Sequence, residues 1–238
     1  KKITYALDGN ADLQAKHVSI QSAGTKFVIE GSFAPISLDL RITGRFNVYN
    51  VLSAVGAALA EGIKDQIIKR ALEKFQSVPG RFELVHAGQP FSVIVDYAHT
   101  PDGLENILKT AQQIAKKKII VVFGCGGDRD RTKRPIMGKI AAQYGDIVIA
   151  TSDNPRSEDP ELILNEVEVG IKTGLSGNKI YEKISDRRQA IGRALHMAEN
   201  EDIVIIAGKG HEDYQILKDR TISFDDKEVA REIIKEMI

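Results

Sequence analysis

Lys118-Ile119-Ile120-Val121-Val122-Phe123-Gly124-Cys125-Gly126-Gly127-Asp128-Arg129-Asp130 decides the fold. Five consecutive apolar residues ending in glycines read as a strand buried on both faces, followed by a tight turn into a helix. The same grammar recurs on either side. Phe91-Ser92-Val93-Ile94-Val95-Asp96, Asp146-Ile147-Val148-Ile149-Ala150 and Asp202-Ile203-Val204-Ile205-Ile206-Ala207 are further apolar runs. The intervening segments read as helices: one from Pro101 to Lys116-Lys117, one from Pro135 to Tyr144, one opened by Pro160, one from Arg187 to Glu199. A short strand, Thr221–Phe224, precedes a last helix from Asp226. Strands alternating with helices predict an α/β domain with a mostly parallel sheet covered on both faces.

Upstream the rhythm differs. Residues 3–42 read as β, with strands around Val18–Ile20, Lys26–Ile29 and Ile36–Leu40, and turns at Ala23-Gly24 and Glu30-Gly31. Two helices follow. The first runs from Asn47, its expected N-cap, to Ala60 and is closed by Gly62; the second runs from Lys64 to Phe75. Ser77-Val78-Pro79-Gly80 punctuates the chain, which places a boundary between residues 1–78 and 79–238.

Composition sets the bounds. Of 238 residues 42% are hydrophobic, enough for a packed core, and 33 basic residues balance 33 acidic ones. Nothing in that balance calls for nucleic acid or an anionic membrane. One cysteine, Cys125, rules out an intrachain disulfide and fits a reducing compartment. No apolar run approaches the ~20 residues of a membrane helix. The chain begins at Lys1, almost directly in strand-like sequence, and reads as a fragment of something longer.

In an open parallel sheet, ligands sit beyond the carboxyl ends of the strands. Four such ends here are polar: Asp96-Tyr97-Ala98-His99, Gly124–Arg131, Ser152-Asp153-Asn154-Pro155-Arg156 and Gly208-Lys209-Gly210-His211-Glu212. All four should face one edge. Each has a plainer reading: a tight βα turn at Gly124–Gly127, a solvated charge run at Asp128–Arg131, an Asx turn at Asp153-Asn154, and structural roles for His99 and His211. Together they place arginines beside carboxylates. Arg156 offers a two-pronged grip on a carboxylate, and Asp153 and Glu212 can receive an ammonium group, which suits a zwitterion such as an amino acid. Asn47 and Asn50 lie one turn apart on the first helix, and Arg81 stands at the junction, where small-molecule clefts form. There is no GxxxxGK[ST] phosphate loop, no GxGxxG fingerprint, no GxSxG elbow and no metal-ligand Cys/His cluster, which leaves a dinucleotide-dependent oxidoreductase without support.

In their order, Gly44-Arg45-Phe46-Asn47-Val48-Tyr49-Asn50, Pro79-Gly80-Arg81-Phe82-Glu83, Asp96-Tyr97-Ala98-His99-Thr100-Pro101, Gly124–Asp130, Asp153–Arg156 and Gly208–Glu212 resemble the carboxy-terminal half of a Mur ligase, of the type that adds meso-diaminopimelate. The resemblance implies that residues 1–78 are the tail of a central ATPase domain and that residues 79–238 form a Rossmann-like domain for the incoming amino acid. It implies an ATP-dependent peptide ligase joining meso-diaminopimelate to UDP-N-acetylmuramoyl-L-alanyl-D-glutamate through an acyl phosphate, in peptidoglycan precursor synthesis. ATP and Mg²⁺ are the implied cofactors, held mainly by the part of the central domain that this sequence lacks, so the chain alone is expected to be inactive. Arg129, Asp153, Asn154, Pro155, Arg156, Gly208 and Glu212 match the amino-acid positions. Arg156 matches the reader of the second carboxylate, which lysine-adding relatives generally lack. Asn50, Arg81 and Asp96 match positions near adenine, phosphates and ribose, and His99 one near the reacting centre. A cytoplasmic monomer is implied, with no nucleic-acid partner and no membrane insertion. The rival readings are an L-lysine-adding ligase and a non-catalytic module binding an amino acid or nucleotide.

Overall fold

The computed structural model describes residues 2–21 and 24–238. The chain divides into two compact units, Lys1–Ser77 and Val78–Ile238. The first holds β1 (Tyr5–Ala6), β2 (Leu13–Gln21), β3 (Gly24–Gly31), β4 (Ile36–Leu40), α1 (Arg45–Ala60) and α2 (Asp65–Lys74). Its strands form one sheet in the order β1-β2-β3-β4, antiparallel except for the β1–β2 pair. Along β4 buried and exposed residues alternate, and Ile36, Leu38 and Leu40 join Leu52 and Val55 of α1 in a core.

Two local expectations fail in this unit. Glu30-Gly31 is not a turn: Gly31 pairs with Leu13 and Glu30 with Gln14, so cross-strand bonding carries β3 past the residues that composition marks as a break. Asn47 is not the N-cap of α1. Gly44 takes that position, and the Asn47 amide sits inside the first turn, donating to the Thr43 carbonyl at 2.9 Å. Asn50 does lie on the same side, donating to Asn47 Oδ1 at 3.2 Å. Gly62 follows α1 as expected, closing it with Gly62 N and Ile63 N on the Leu59 and Ala58 carbonyls. The turn expected at Ala23-Gly24 involves Ala23, which lies outside the described residues.

The second unit holds β5 (Glu83–Val85), β6 (Ser92–Asp96), α3 (Pro101–Ile114), β7 (Ile119–Phe123), α4 (Lys133–Tyr144), β8 (Ile147–Ala150), α5 (Pro160–Gly174), β9 (Ile180–Lys183), α6 (Arg187–Met197), β10 (Ile203–Ala207), β11 (Tyr214–Ile216), β12 (Thr221–Ser223) and α7 (Asp226–Met237). Its main sheet runs β5-β6-β10-β7-β8-β9, with only β5 antiparallel; β11 and β12 form a separate hairpin. β10, last of the parallel strands in sequence, inserts between β6 and β7. Alternate residues of the strands pack with α6 and α7 on one face, while α3, α4 and α5 cover the other. The direction of winding therefore reverses at β10, and a crevice opens at the carboxyl ends of its neighbours.

β5, β9 and β11 have no counterpart in the sequence reading. Each is three or four residues long, and β9, an edge strand, is only partly covered, so none carries a continuous apolar run. α4 begins at Lys133, two residues before the proline expected to open it. Among the described residues no helix is long and apolar enough to cross a membrane.

One buried ion pair fastens the carboxyl edge. Arg187, at the start of α6, is fully buried and grips both carboxylate oxygens of Asp226 at 2.7 Å. It also donates to the Ser152 carbonyl beyond β8 and the Ala207 carbonyl of β10. Burial works to strip its proton, but the Asp226 charge and hydrogen bonds outweigh that and hold its pKa above the usual guanidinium value. Replacing Arg187 with Met should destabilise the protein by about 3–5 kcal/mol, because a buried carboxylate is left unpaired; the Arg187→Met/Asp226→Leu double variant should recover most of the loss. Urea unfolding of the three proteins measures both effects, and a double variant no more stable than the single would rule out the ion-pair explanation.

Candidate functional site

The four polar strand ends converge. Beyond β6, β7, β8 and β10 lies a cavity of about 640 Å³ built wholly within the second unit. Arg129 and Arg156 line it together with Asp153, Asn154, Gly208 and Glu212. His99 lines it as well, beside Tyr97. Pro155, Arg81 and Asp96 do not, and Asn50 belongs to the first unit.

Two loops make the wall by leaning on one another. Gly127 N donates to the Asn154 carbonyl at 2.9 Å, and Arg156 Nη1 donates to the Gly127 and Asn154 carbonyls at 2.9 and 3.3 Å. A Cβ at Gly127 would stand 1.9 Å from the Pro155 carbonyl oxygen, so no other residue permits this approach. The glycines after β7 are therefore more than a turn. Gly208 has φ +119°, and a Cβ there would meet Asp153 Oδ2 at 2.7 Å. Arg156 and Asp128 are themselves left-handed, at φ 54° and 53°. For Arg156 that conformation costs on the order of 1–2 kcal/mol, offset by its backbone N–H donating to the Ile216 carbonyl at 3.1 Å. The result is a guanidinium fixed through Nη1 whose Nε and Nη2 have no recorded protein partner among the described residues.

The acidic side is held just as firmly. Glu212 Oε2 accepts from Asn154 Nδ2 at 2.9 Å and from Lys209 Nζ at 3.1 Å. Asn154 Oδ1 accepts from Ile216 N at 2.9 Å, and Gln215 Nε2 donates to the Asp153 carbonyl at 2.6 Å, so β11 is stitched to the loop after β8. His99 is exposed, with Nδ1 2.8 Å from the Tyr97 carbonyl. A carbonyl can only accept, so Nδ1 carries the proton and Nε2 is the acceptor of the neutral ring. The rings of His99 and His211 flank Tyr97 at 4.5 and 5.2 Å, and the Arg81 guanidinium lies 5.2 Å from the Tyr97 ring centroid.

Asp96 is turned inward. Its carboxylate accepts from Phe82 N at 2.6 Å and Ala98 N at 2.8 Å, and it is buried. Burial raises its pKa, against the pull of those two N–H groups and of Arg81. In this arrangement Asp96 fixes the turn that carries Arg81. Cys125 is buried, which pushes its thiol up to about 12 and keeps it out of the chemistry.

Sequence reasoning missed the buried cations. Arg134, fully buried on α4, donates to both oxygens of Glu158 at 2.8 and 2.9 Å, to Glu166 at 2.9 Å and to the Gly126 carbonyl at 3.2 Å. Glu158 also accepts from Asp128 N at 2.6 Å, so the ion network clamps the two arginine-bearing loops. The only hint in the sequence was that Arg134 precedes Pro135 at the start of a helix, which says nothing of burial.

Known proteins match this arrangement along the chain. Residues 80–210 match the model of the Mur ligase glutamate ligase domain, and residues 1–58 match that of the Mur ligase middle domain. The chain belongs to the Mur ligase family. Among curated Mur ligases, the UDP-N-acetylmuramoyl-L-alanyl-D-glutamate--2,6-diaminopimelate ligase of Clostridium botulinum is 51% identical over 238 residues, covering 99% of this chain and 48% of that protein. The ligase of the same name from Syntrophomonas wolfei is 49% identical over 232 residues, 98% of this chain and 47% of its own length. A solved structure of a ligase of that name superposes with TM-score 0.73 at 38% identity, over 99% of this chain and 48% of that one. The chain spans about half the length of the curated relatives it matches.

The Arg134 clamp gives this Mur ligase chain an acid-sensitive contact. Hydrogen bonds from Arg134, then from Asp128 N, hold Glu158 down to about 2 from an ordinary 4.5. A depressed carboxyl stabilises the fold above its unfolded value, and that contribution disappears as pH falls through the folded one. Discounted for the partial exposure of Glu158 to solvent, Glu158→Gln should cost about 1–2 kcal/mol at pH 7, and the gap from wild type should close between roughly pH 4.5 and 2. Thermal unfolding across that range measures it; a gap that stayed constant with pH would show that the charge of Glu158 is not what holds the loops.

Proposed function

We propose that this chain is the amino-acid-binding half of an ATP-dependent ligase that joins meso-diaminopimelate to UDP-N-acetylmuramoyl-L-alanyl-D-glutamate. The observation that carries the reading is the meeting of Arg156 and Arg129 with Asp153 and Glu212 in one cavity. Opposed charges at fixed separation suit a ligand bearing both carboxylates and ammonium groups. The name shared by relatives near 50% identity points to the same substrate.

On this reading Arg156 takes the distal carboxylate, through the N–H groups its backbone contacts leave available. Arg129 can swing toward a carboxylate: among the described residues its guanidinium is held only by Nη1 donating to the carbonyl of its neighbour Asp128. Asp153 and Glu212 receive the ammonium groups, Asn154 and the Gly208 backbone complete the rim, and Pro155 shapes the loop. His99 stands near the reacting centre with Nε2 as acceptor. Asn50, Arg81 and Asp96 serve the nucleotide side, Asp96 by holding the Arg81 turn. Residues 1–78 belong to the central ATP-binding domain and residues 79–238 to the amino-acid domain.

The chemistry follows from the poor electrophilicity of a carboxylate. The D-glutamate side-chain carboxylate takes the γ-phosphoryl group of ATP and releases ADP. The neutral amine of meso-diaminopimelate attacks the resulting acyl phosphate, the C–O bond to phosphate breaks, and the nitrogen sheds its proton as the amide forms. This chain's part is to hold the amine and align it. Among the described residues no group of three or more His, Cys, Asp or Glu side chains fits a metal ion; Mg²⁺, held mainly by the rest of the central domain, would offset the charge that builds on the transferring phosphoryl group. The enzyme works where ATP and nucleotide-linked sugars are made, in the cytoplasm, as a monomer.

Lysine carries hydrogen where meso-diaminopimelate carries its second carboxylate. An arginine–carboxylate pair contributes about 1.5–3 kcal/mol, roughly ten- to a hundredfold in selectivity. In the full-length ligase, Arg156→Ala should lower kcat/KM for meso-diaminopimelate by that factor and change it for L-lysine by no more than about threefold. Phosphate release with each amino acid reports it. An equal loss for both would remove Arg156 as the reader, and a wild-type preference for lysine would overturn the substrate assignment.

A further inference from the structure

We infer that Lys209 is a positioning residue of the amino-acid cavity: from behind its wall, the ammonium group holds Glu212 and Asn154 in the orientation that receives the ligand's amine. The identity of the ligand rests on the function proposed above; the hold itself rests on geometry.

Lys209 is fully buried and does not line the cavity. An ammonium group is costly to bury, and a Met or Leu would fill the same space at lower cost, so its presence needs a reason. Its contacts supply one. Nζ donates to Glu212 Oε2 at 3.1 Å and to the Tyr214 carbonyl, and lies 3.4 Å from Asn154 Oδ1. An ammonium has three donors, and the three directions are taken. It also lies 5.3 Å from the centroid of the Tyr214 ring, which itself lines the cavity. Lys209 therefore touches three of the cavity's residues without touching the cavity.

The consequence for Glu212 is specific. Oε2 is shared by Lys209 Nζ and Asn154 Nδ2, while Oε1 has no recorded protein partner among the described residues. The carboxylate cannot rotate without breaking both bonds, so one oxygen is structural and the other is offered to a ligand. Asn154 is fixed in the same way, with Oδ1 toward Ile216 N and Lys209 and Nδ2 toward Glu212. A direct role for Lys209 as nucleophile or base is excluded by the same count, since no face of the ammonium reaches the cavity. Its other effect is electrostatic. Asp153 and Glu212 are like charges on one rim, and Lys209 with the buried Arg187 supplies compensating charge from beneath.

The test is a double-mutant cycle in the full-length ligase, using Lys209→Met, Glu212→Gln and the pair. Lys209→Met should raise KM for meso-diaminopimelate about ten- to a hundredfold and leave KM for ATP within about twofold. In the Glu212→Gln background the same change should cost at least severalfold less than in wild type, because the carboxylate it positions is gone and only its contact with Asn154 remains to be lost. Losses that simply multiply across the cycle would overturn the inference. So would a parallel rise in both KM values with a lowered melting temperature, the mark of general structural support. If Lys209→Met does not fold, Lys209→Gln, which keeps a neutral donor for the Tyr214 carbonyl, carries the comparison. A wild type that takes a different amino acid sinks the functional proposal but not this one, since the cycle is then read with that amino acid. A wild type that takes none overturns both.

Discussion

Everything at the carboxyl edge depends on the Arg187–Asp226 pair. A parallel sheet delivers its strand ends, with their outward-facing carbonyls, to one edge, and those carbonyls need donors once loops cover them. Arg187 serves Ser152 and Ala207 at once, so the ends of β8 and β10 are pinned to a single planar group. A guanidinium suits this because its five donors are fixed in one plane and stay charged when buried. Asp226 neutralises it from the first residue of α7, where a helix N-terminus favours a carboxylate. The loops that begin at Asp153 and Gly208 thus leave a fixed platform, and the separation of their side chains is set before any ligand arrives.

The loops convert that platform into a site by spending conformational strain. Arg156 and Asp128 are left-handed, Gly127 and the Pro155 carbonyl approach more closely than any side chain allows, and a proline breaks the backbone between them. Such a tangle survives only because it is over-determined: Arg134 and Glu158 hold it from α4 and from the loop ahead of α5, β11 from the opposite side. Strained, mutually braced loops on a rigid sheet are the usual arrangement where a ligand must be met without reorganisation.

This explains which parts of the molecule were legible in the sequence. β6, β7, β8 and β10 announce themselves because both faces are covered, which makes their central residues a continuous apolar run; β9 is an only partly covered edge strand and β5 and β11 are three residues long, so the pattern dissolves. The convergence of the four polar loops followed from strand direction alone. What could not be read was the difference between a charged residue that faces the cavity and one that supports it. Arg129 and Arg134 are five residues apart and chemically alike on the page, and Lys209 and Glu212 are charged residues three apart in one loop, yet one of each pair lines the cavity while the other is buried behind it. Asp96 shows the same ambiguity in reverse: it stands at a strand end, where ligand contacts are expected, and its oxygens are taken by Phe82 and Ala98. Only the fold decides such cases, because burial of a charge depends on partners distant in sequence.

The charge of the cavity follows the same logic. Arg129, Lys133 and Arg156 on its wall oppose Asp130, Asp153 and Glu212, three cations against three carboxylates. A wall of one sign would draw any ion of the other. A balanced wall offers no such net attraction, and recognition must come from where the opposite charges stand. For the proposed ligand, a diamino acid with two carboxylates and no net charge, that is the appropriate design: a cationic competitor of similar length gains nothing from the wall as a whole and leaves Arg156 without a partner. Selectivity then rests on holding each charged group still, and the buried arginines and lysine behind the wall are the means by which this chain does so.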